Sequence, residues 1–115
     1  MFRVIRAMVP WLLAAFFLVG AIGNAFPSAA IEADYQRWGY PYWFHYVTAA
    51  LELGVAILLV LPGTRLIAGL LGCLVMAAAA GTVLMHGEYT HAIAPLAVFA
   101  VSLLTVFLNR RKRMR

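Results

Sequence analysis

Four apolar stretches, residues 7–26, 42–61, 66–85 and 92–108, take up most of the chain. A helix needs ~20 mostly apolar residues to cross the ~30 Å hydrocarbon core of a bilayer; the fourth stretch is the shortest of the set. Lipid offers no water to satisfy backbone N–H and C=O groups, so a spanning segment must be a helix or part of a closed barrel. The alternating pattern of barrel strands is absent. The sequence therefore reads as an all-α polytopic membrane protein, a single domain over residues 1–115 folded as a four-helix transmembrane bundle. A water-soluble globule is excluded by composition. The chain is 65% hydrophobic and only 11% charged, with a mean hydropathy of +0.92, where soluble domains carry ~25% charged residues.

The segments between the spans fit that layout. Residues 62–65, PGTR, make a tight turn with Pro62 and Gly63 as helix breakers. Residues 86–91, HGEYTH, form the last connector, and residues 27–42, PSAAIEADYQRWGYPY, the one sizeable polar stretch. Its Tyr and Trp residues suit the headgroup boundary, and Trp11, Trp38 and Trp43 read as interface anchors.

Charge sets the orientation. An even number of spans puts both termini on one side, together with Arg3, Arg6, Arg65 and the five basic residues of the tail, residues 109–115. The other side holds Arg37 with Glu32, Asp34 and Glu88. Basic residues collect on the cytoplasmic face, so both termini are expected there, in a multi-pass protein of the cell membrane. The net charge of +5 is then an attraction to anionic membrane lipids, and no nucleic-acid partner is expected. The basic start and apolar middle of the first segment also allow a competing reading as a signal peptide, which would leave three spans. Gly20, Gly23 and Asn24 instead suit a retained span packed on other helices.

Within the second span lies one ionisable group in an apolar run, Glu52 of TAALELGVAILLVLP. A charge at mid-bilayer costs at least ~2.5 kcal/mol, so Glu52 should face the bundle interior. His45, Thr48 and Glu52 recur at spacings of three and four, which puts them on one helix face, and Tyr42 extends the stripe to the outer surface. Leu51, Leu53, Leu58 and Leu59 are assigned to lipid. Such a polar stripe could line a small cavity open to the exterior. Glu52 is either protonated and hydrogen-bonded, knitting helices together, or paired with a histidine, with His86 the better candidate and Thr82 one turn below it. Two readings stay open for it: a neutral carboxyl joining helices, or a group that binds a proton or a ligand.

His86, His91 and Glu88 share the outer connector, with His45 near the same surface; they are weak candidates for a metal, because their spacing fits no strong metal-binding motif. Cys73 is the single cysteine, so a dithiol cycle is excluded, and the residue reads as a small buried hydrophobe. In the third span Gly69, Cys73, Ala77 and Gly81 form a row of small residues at every fourth position, and Ala68, Gly72, Met76 and Ala80 form a second. Such rows let helices approach closely, within the bundle or across a homodimer seam.

Gly39-Tyr40-Pro41 before the second span, Leu51-Glu52-Leu53-Gly54 within it, the Leu-Pro turn leading to Arg65, and the Ala-rich third span ending at His86 resemble the DoxX-like family of four-helix membrane proteins. The resemblance runs over about residues 38–86 and implies a four-helix bundle with the Glu of its second helix among the shared positions. It also implies a bacterial inner membrane and roles of the family's kind, which include subunits linked to quinone and thiosulfate oxidation, sulfur-stress membrane complexes and receptor-assembly chaperones.

The reading that follows is an accessory protein or subunit of a membrane complex, redox- or quinone-linked, with a buried polar pocket around Glu52 that accepts a quinone or a lipid. Its partner would be another membrane protein or a second copy of itself. The alternative is a proton-coupled small-molecule transporter using Glu52. Small multidrug exporters have a similar length and one buried Glu, but carry it in the first helix. Autonomous catalysis is not expected, since no nucleophile, base and orienting group form a set and no nucleotide-binding loop is present.

Overall fold

The computed structural model describes residues 2–114. The side chains of the basic tail from residue 111 onward lie outside the described residues, and with them the expected tail–lipid contact. Five α-helices run in the order α1 (Phe2–Ala25), α2 (Ala29–Arg37), α3 (Phe44–Val60), α4 (Arg65–Met85) and α5 (Ile93–Met114), with 3-10 turns at Pro62–Thr64 and Tyr89–Ala92.

Local chemistry sets the helix ends. The α1 helix stops at Ala25, just ahead of Pro27, and α3 stops at Val60 with Leu61 extended before Pro62; the residue before a proline is pushed out of the helical region. The exposed last carbonyls of α3 are then taken up by the next turn. Thr64 Oγ1 donates to Leu58 O at 2.7 Å and Arg65 Nε donates to Leu59 O at 2.8 Å, a side-chain solution to the unpaired carbonyls of a helix end. Both α2 and α4 end on a glycine in the left-handed region, Gly39 (φ +82°) and Gly87 (φ +72°). In each case the glycine N–H bonds back to Gln36 O or Leu84 O, and the next N–H reaches Tyr35 O or Val83 O. This pair of bonds is the Schellman closure, which favours glycine because a Cβ is strained there.

Two antiparallel pairs make up the bundle. Helix α1 lies along α3 and α4 lies along α5, and α3 and α4 join the pairs. Leu13 and Phe17 of α1, Val55 and Leu59 of α3, Ala68 of α4 and Val98 of α5 form the shared core. Gly69 and Gly72 let α5 and α1 approach α4. A Cβ on Gly69 would meet Val106 Cγ2 and the Ser102 carbonyl, and one on Gly72 would meet Ser102 Oγ and the Phe17 ring. Ser102, Thr105 and Asn109 on α5 are buried, but each donates to the carbonyl four residues back in its own helix.

The exterior is apolar. Leu12, Val19, Leu70, Leu74 and Phe107 are exposed, an arrangement that suits acyl chains and would be costly in water. Helices α1, α4 and α5 are each long and apolar enough to cross a membrane, and α3 is a shorter apolar helix. The chain is an all-helical membrane protein.

Several sequence expectations are corrected here. Residues 27–42 are more than a connector, because they contain α2. Its N-cap is Ser28, whose Oγ accepts from Ile31 N at 3.2 Å, and Glu32 and Arg37 sit at the ends that suit the helix dipole. Tyr42 lies ahead of α3 rather than within it and is exposed, with its ring edge-on to His45 at 5.4 Å. Leu59, assigned to lipid, is fully buried. Of the two small-residue rows, Ala68, Gly72 and Ala80 are buried, while in the other row Ala77 is exposed and nothing lies near Gly81. The row from Gly69 to Gly81 meets α5 at Gly69, which is buried there, and at Cys73, whose Sγ lies 3.9 Å from Phe99 O.

Candidate functional site

Glu52 is the ninth residue of α3, ~12 Å along the helix at 1.5 Å per residue, and it is 6% exposed. It faces α1 across Gly20. A Cβ at Gly20 would collide with the Glu52 carboxyl, so the absence of a side chain there is what gives the acid its place. Its partner is neither a cation nor a histidine. Asn24 Nδ2 donates to Glu52 Oε1 at 2.7 Å and to Gly20 O at 3.0 Å. Tyr35 of α2 donates its hydroxyl to Asn24 Oδ1 at 2.7 Å. A chain of hydrogen bonds therefore runs from α2 through the end of α1 to the carboxyl on α3. Burial pushes the Tyr35 phenol above its ordinary range, with Thr48 working against that shift.

His45 is 2% exposed. Its Nδ1 lies 2.7 Å from Asn24 O, and a carbonyl only accepts, so Nδ1 carries the proton. Nε2 is left buried with no hydrogen-bond partner, the single such side-chain nitrogen or oxygen among the described residues. His45 shares a face with Glu52 and is tied to the same Asn24, yet it does not reach the Glu52 carboxyl.

Above Glu52, between the two helix pairs and beneath α2, is a cavity of about 590 Å³, within the ~300–1,000 Å³ usual for small-molecule sites. Its lining includes the polar residues Asn24, Thr48, Glu52 and Thr82 and the aromatic residues Tyr35, Trp38, Tyr40 and Phe44. Tyr40 and Phe44 stack with centroids 4.3 Å apart and planes within 9°. The Tyr40 hydroxyl and Thr82 Oγ1 are 2.6 Å apart, linking the α2–α3 connector to α4.

A polar clasp holds α2 over this space. Arg37 donates to both Glu88 oxygens, from Nε at 3.1 Å and from Nη2 at 2.6 Å. Trp38 Nε1 donates to Glu88 Oε2 at 2.8 Å, His91 Nδ1 lies 3.1 Å from Glu88 Oε1, and Asp34 pairs with Arg37 at 2.9 Å. The Arg37 guanidinium, helped by the Trp38 N–H, holds the Glu88 carboxyl down to about 2, and Glu88 followed by Asp34 raises Arg37 in turn.

The expected site residues are thus divided. Glu52, Thr48 and Thr82 meet in one cavity wall, and His91 reaches its outer part. His86 is exposed and bonds to Thr82 O at 2.8 Å; it sits at the α4 end and does not approach Glu52, so the expected Glu52–His86 pairing is corrected to Glu52–Asn24. His86, His91 and Glu88 do not come together as metal ligands, and no group of three His, Cys, Asp or Glu among the described residues does. Sequence reasoning missed Asn24 as the hub and Tyr35 as its second partner. Asn24 did carry a signal, as an amide four residues after Gly20 at the end of an apolar run. Tyr35 carried none without α2.

A sequence model of the DoxX-like family matches residues 8–105. No curated protein and no solved structure matches the chain.

Proposed function

The chain belongs to the DoxX-like family, and on that premise we propose that it is a small subunit or accessory protein of a membrane complex whose cavity holds a lipophilic small molecule of quinone or lipid-headgroup size. The observation that carries this reading is the buried Glu52 carboxyl in the wall of a 590 Å³ cavity, held by Asn24 and roofed by α2. A carboxyl serving only as interhelical glue would not require open volume beside it. In this reading α1, α3, α4 and α5 are four spans with both termini cytoplasmic, in a bacterial inner membrane. The antiparallel packing of α3 on α1 supports this, since a helix lying along a span crosses with it. So does the placement of Arg3, Arg6 and Arg65 at the end of the bundle opposite Asp34, Arg37 and Glu88. A retained first span is favoured because α1 supplies Gly20 and Asn24.

The partner is another membrane protein or a second copy of the chain. Mild-detergent purification from the native host, with mass spectrometry of co-purifying proteins and lipophilic molecules, tests the proposal. Wild-type protein should retain a small molecule and a membrane partner, and Glu52→Gln should lose the small molecule. Equal recovery with both proteins would remove the pocket from the account. The hydrogen-bond chain from Tyr35 to Glu52 favours one second reading, a proton-coupled transporter using Glu52. Proton-driven, Glu52-dependent uptake into reconstituted vesicles would establish it in place of the first.

A further inference from the structure

Of what the cavity wall offers, charge is the most selective. Glu52 lines the cavity with only Oε1 bonded to a protein side chain; Oε2 rests against Gly20 with no hydrogen-bond donor among the described residues. Asp34 also lines it, but is paired with Arg37. No arginine or lysine among the described residues contributes to the wall. Arg37, the nearest candidate, is turned to Glu88 and Asp34 and lies over the Trp38 ring at 5.5 Å. His91, the one basic side chain in the wall, has its Nδ1 on Glu88. The remaining surface is aromatic and aliphatic, with the rings of Tyr35, Trp38, Tyr40 and Phe44 gathered on the α2–α3 side. Aromatic faces attract cations through their quadrupole, more strongly where water is excluded, and a desolvated carboxyl lacking a counter-charge favours a positive guest.

We infer that the cavity selects lipophilic organic cations, ammonium or phosphonium in type, over neutral or anionic molecules of the same size. Glu52 supplies the counter-charge and the aromatic wall supplies the packing. This rests on the cavity reading above and narrows its guest. An anionic ligand, whether a phosphate headgroup, a fatty acid or an oxidised sulfur anion, would meet the Glu52 carboxyl, with no arginine or lysine among the described residues in the wall to receive it.

A pair of probes with one shape and opposite charge separates these cases. The full chain in phosphatidylcholine nanodiscs is titrated with tetraphenylphosphonium and with tetraphenylborate, with empty discs subtracted, and separately with a neutral short-chain quinone. Saturable tetraphenylphosphonium binding is expected, with no saturable tetraphenylborate binding, and Glu52→Gln should weaken the cation at least about tenfold, since a buried charge pair is worth well over ~1.4 kcal/mol. Equal binding of the two ions, or an unchanged cation affinity in folded Glu52→Gln, overturns the inference. If Glu52→Gln does not fold, the comparison of the two ions on the unmodified chain decides alone. Saturable quinone binding without cation binding overturns the inference and leaves the cavity reading standing. Failure of all three probes to bind overturns both.

Discussion

Asn24→Ala probes the part of the structure on which the site depends. The substitution removes the amide that donates to Glu52 and to Gly20 O and accepts from Tyr35. Two of these bonds join separate helices, and such bonds in membrane proteins average ~0.6 kcal/mol and reach ~1.7, so together they account for about 1–3 kcal/mol. What remains behind adds a similar cost. The Glu52 carboxyl, 6% exposed, loses its donor, and a buried acceptor stripped of its partner adds ~1–3 kcal/mol. The expected loss is about 2–6 kcal/mol. Tyr35→Phe removes one bond and should cost about 1 kcal/mol. Adding Glu52→Leu to Asn24→Ala removes the stranded carboxyl as well as its donor and leaves only the Tyr35 hydroxyl without its partner, so the double variant should be more stable than the sum of the single losses by at least about 1 kcal/mol. Unfolding by sodium dodecyl sulfate in zwitterionic mixed micelles, followed by far-ultraviolet circular dichroism, measures each. The reasoning is refuted if Asn24→Ala is no worse than Tyr35→Phe, or if the double variant is additive to within ~0.5 kcal/mol.

The same titration checks three glycines. Gly69→Ala should cost about 1–3 kcal/mol because its Cβ meets Val106 and the Ser102 backbone, whereas Gly81→Ala, with nothing within 4 Å, should be neutral or stabilise by up to ~1 kcal/mol. Gly87→Ala forces a Cβ into the left-handed region and should cost about 1–2 kcal/mol. For the clasp, Glu88 sits at about 2 against an ordinary 4.5. Its folded value is depressed, so its contribution is complete above about pH 4.5 and fades as the pH falls toward 2. Protection of α2 amides, relative to their intrinsic exchange rates, should fall across that window, and Arg37→Gln should lower protection at neutral pH and flatten the acid response. Protection that is indifferent to pH in the unmodified chain would remove the clasp as the element holding α2 down.

The sequence determined the class of molecule, because hydropathy and backbone hydrogen bonding are local properties. An apolar run near the span length in lipid forms a helix whatever it later packs against. The turn at Pro62 and the membrane character follow from that alone, as did the resemblance that the family match bears out. Helix α2 was in principle legible, through Ser28 at its start and Gly39 past its end, but in a short polar segment those signals compete with a loop reading.

The partner of Glu52 was not legible. A spacing of three or four residues shows which side chains share a face of one helix and says nothing of which face of another helix is brought against it. His86 was a reasonable partner for a lone acid by its chemistry, while Asn24 took the place because α1 packs antiparallel on α3 with Gly20 opposite the carboxyl. Similarly, two rows of small residues on α4 look alike in sequence, and only the packing of the neighbouring helices buries Ala68, Gly72 and Ala80 of one and leaves Ala77 of the other exposed. Burial, partner and cavity are relations between helices, fixed by how side chains interlock across an interface, and that information is carried by no single segment of the chain.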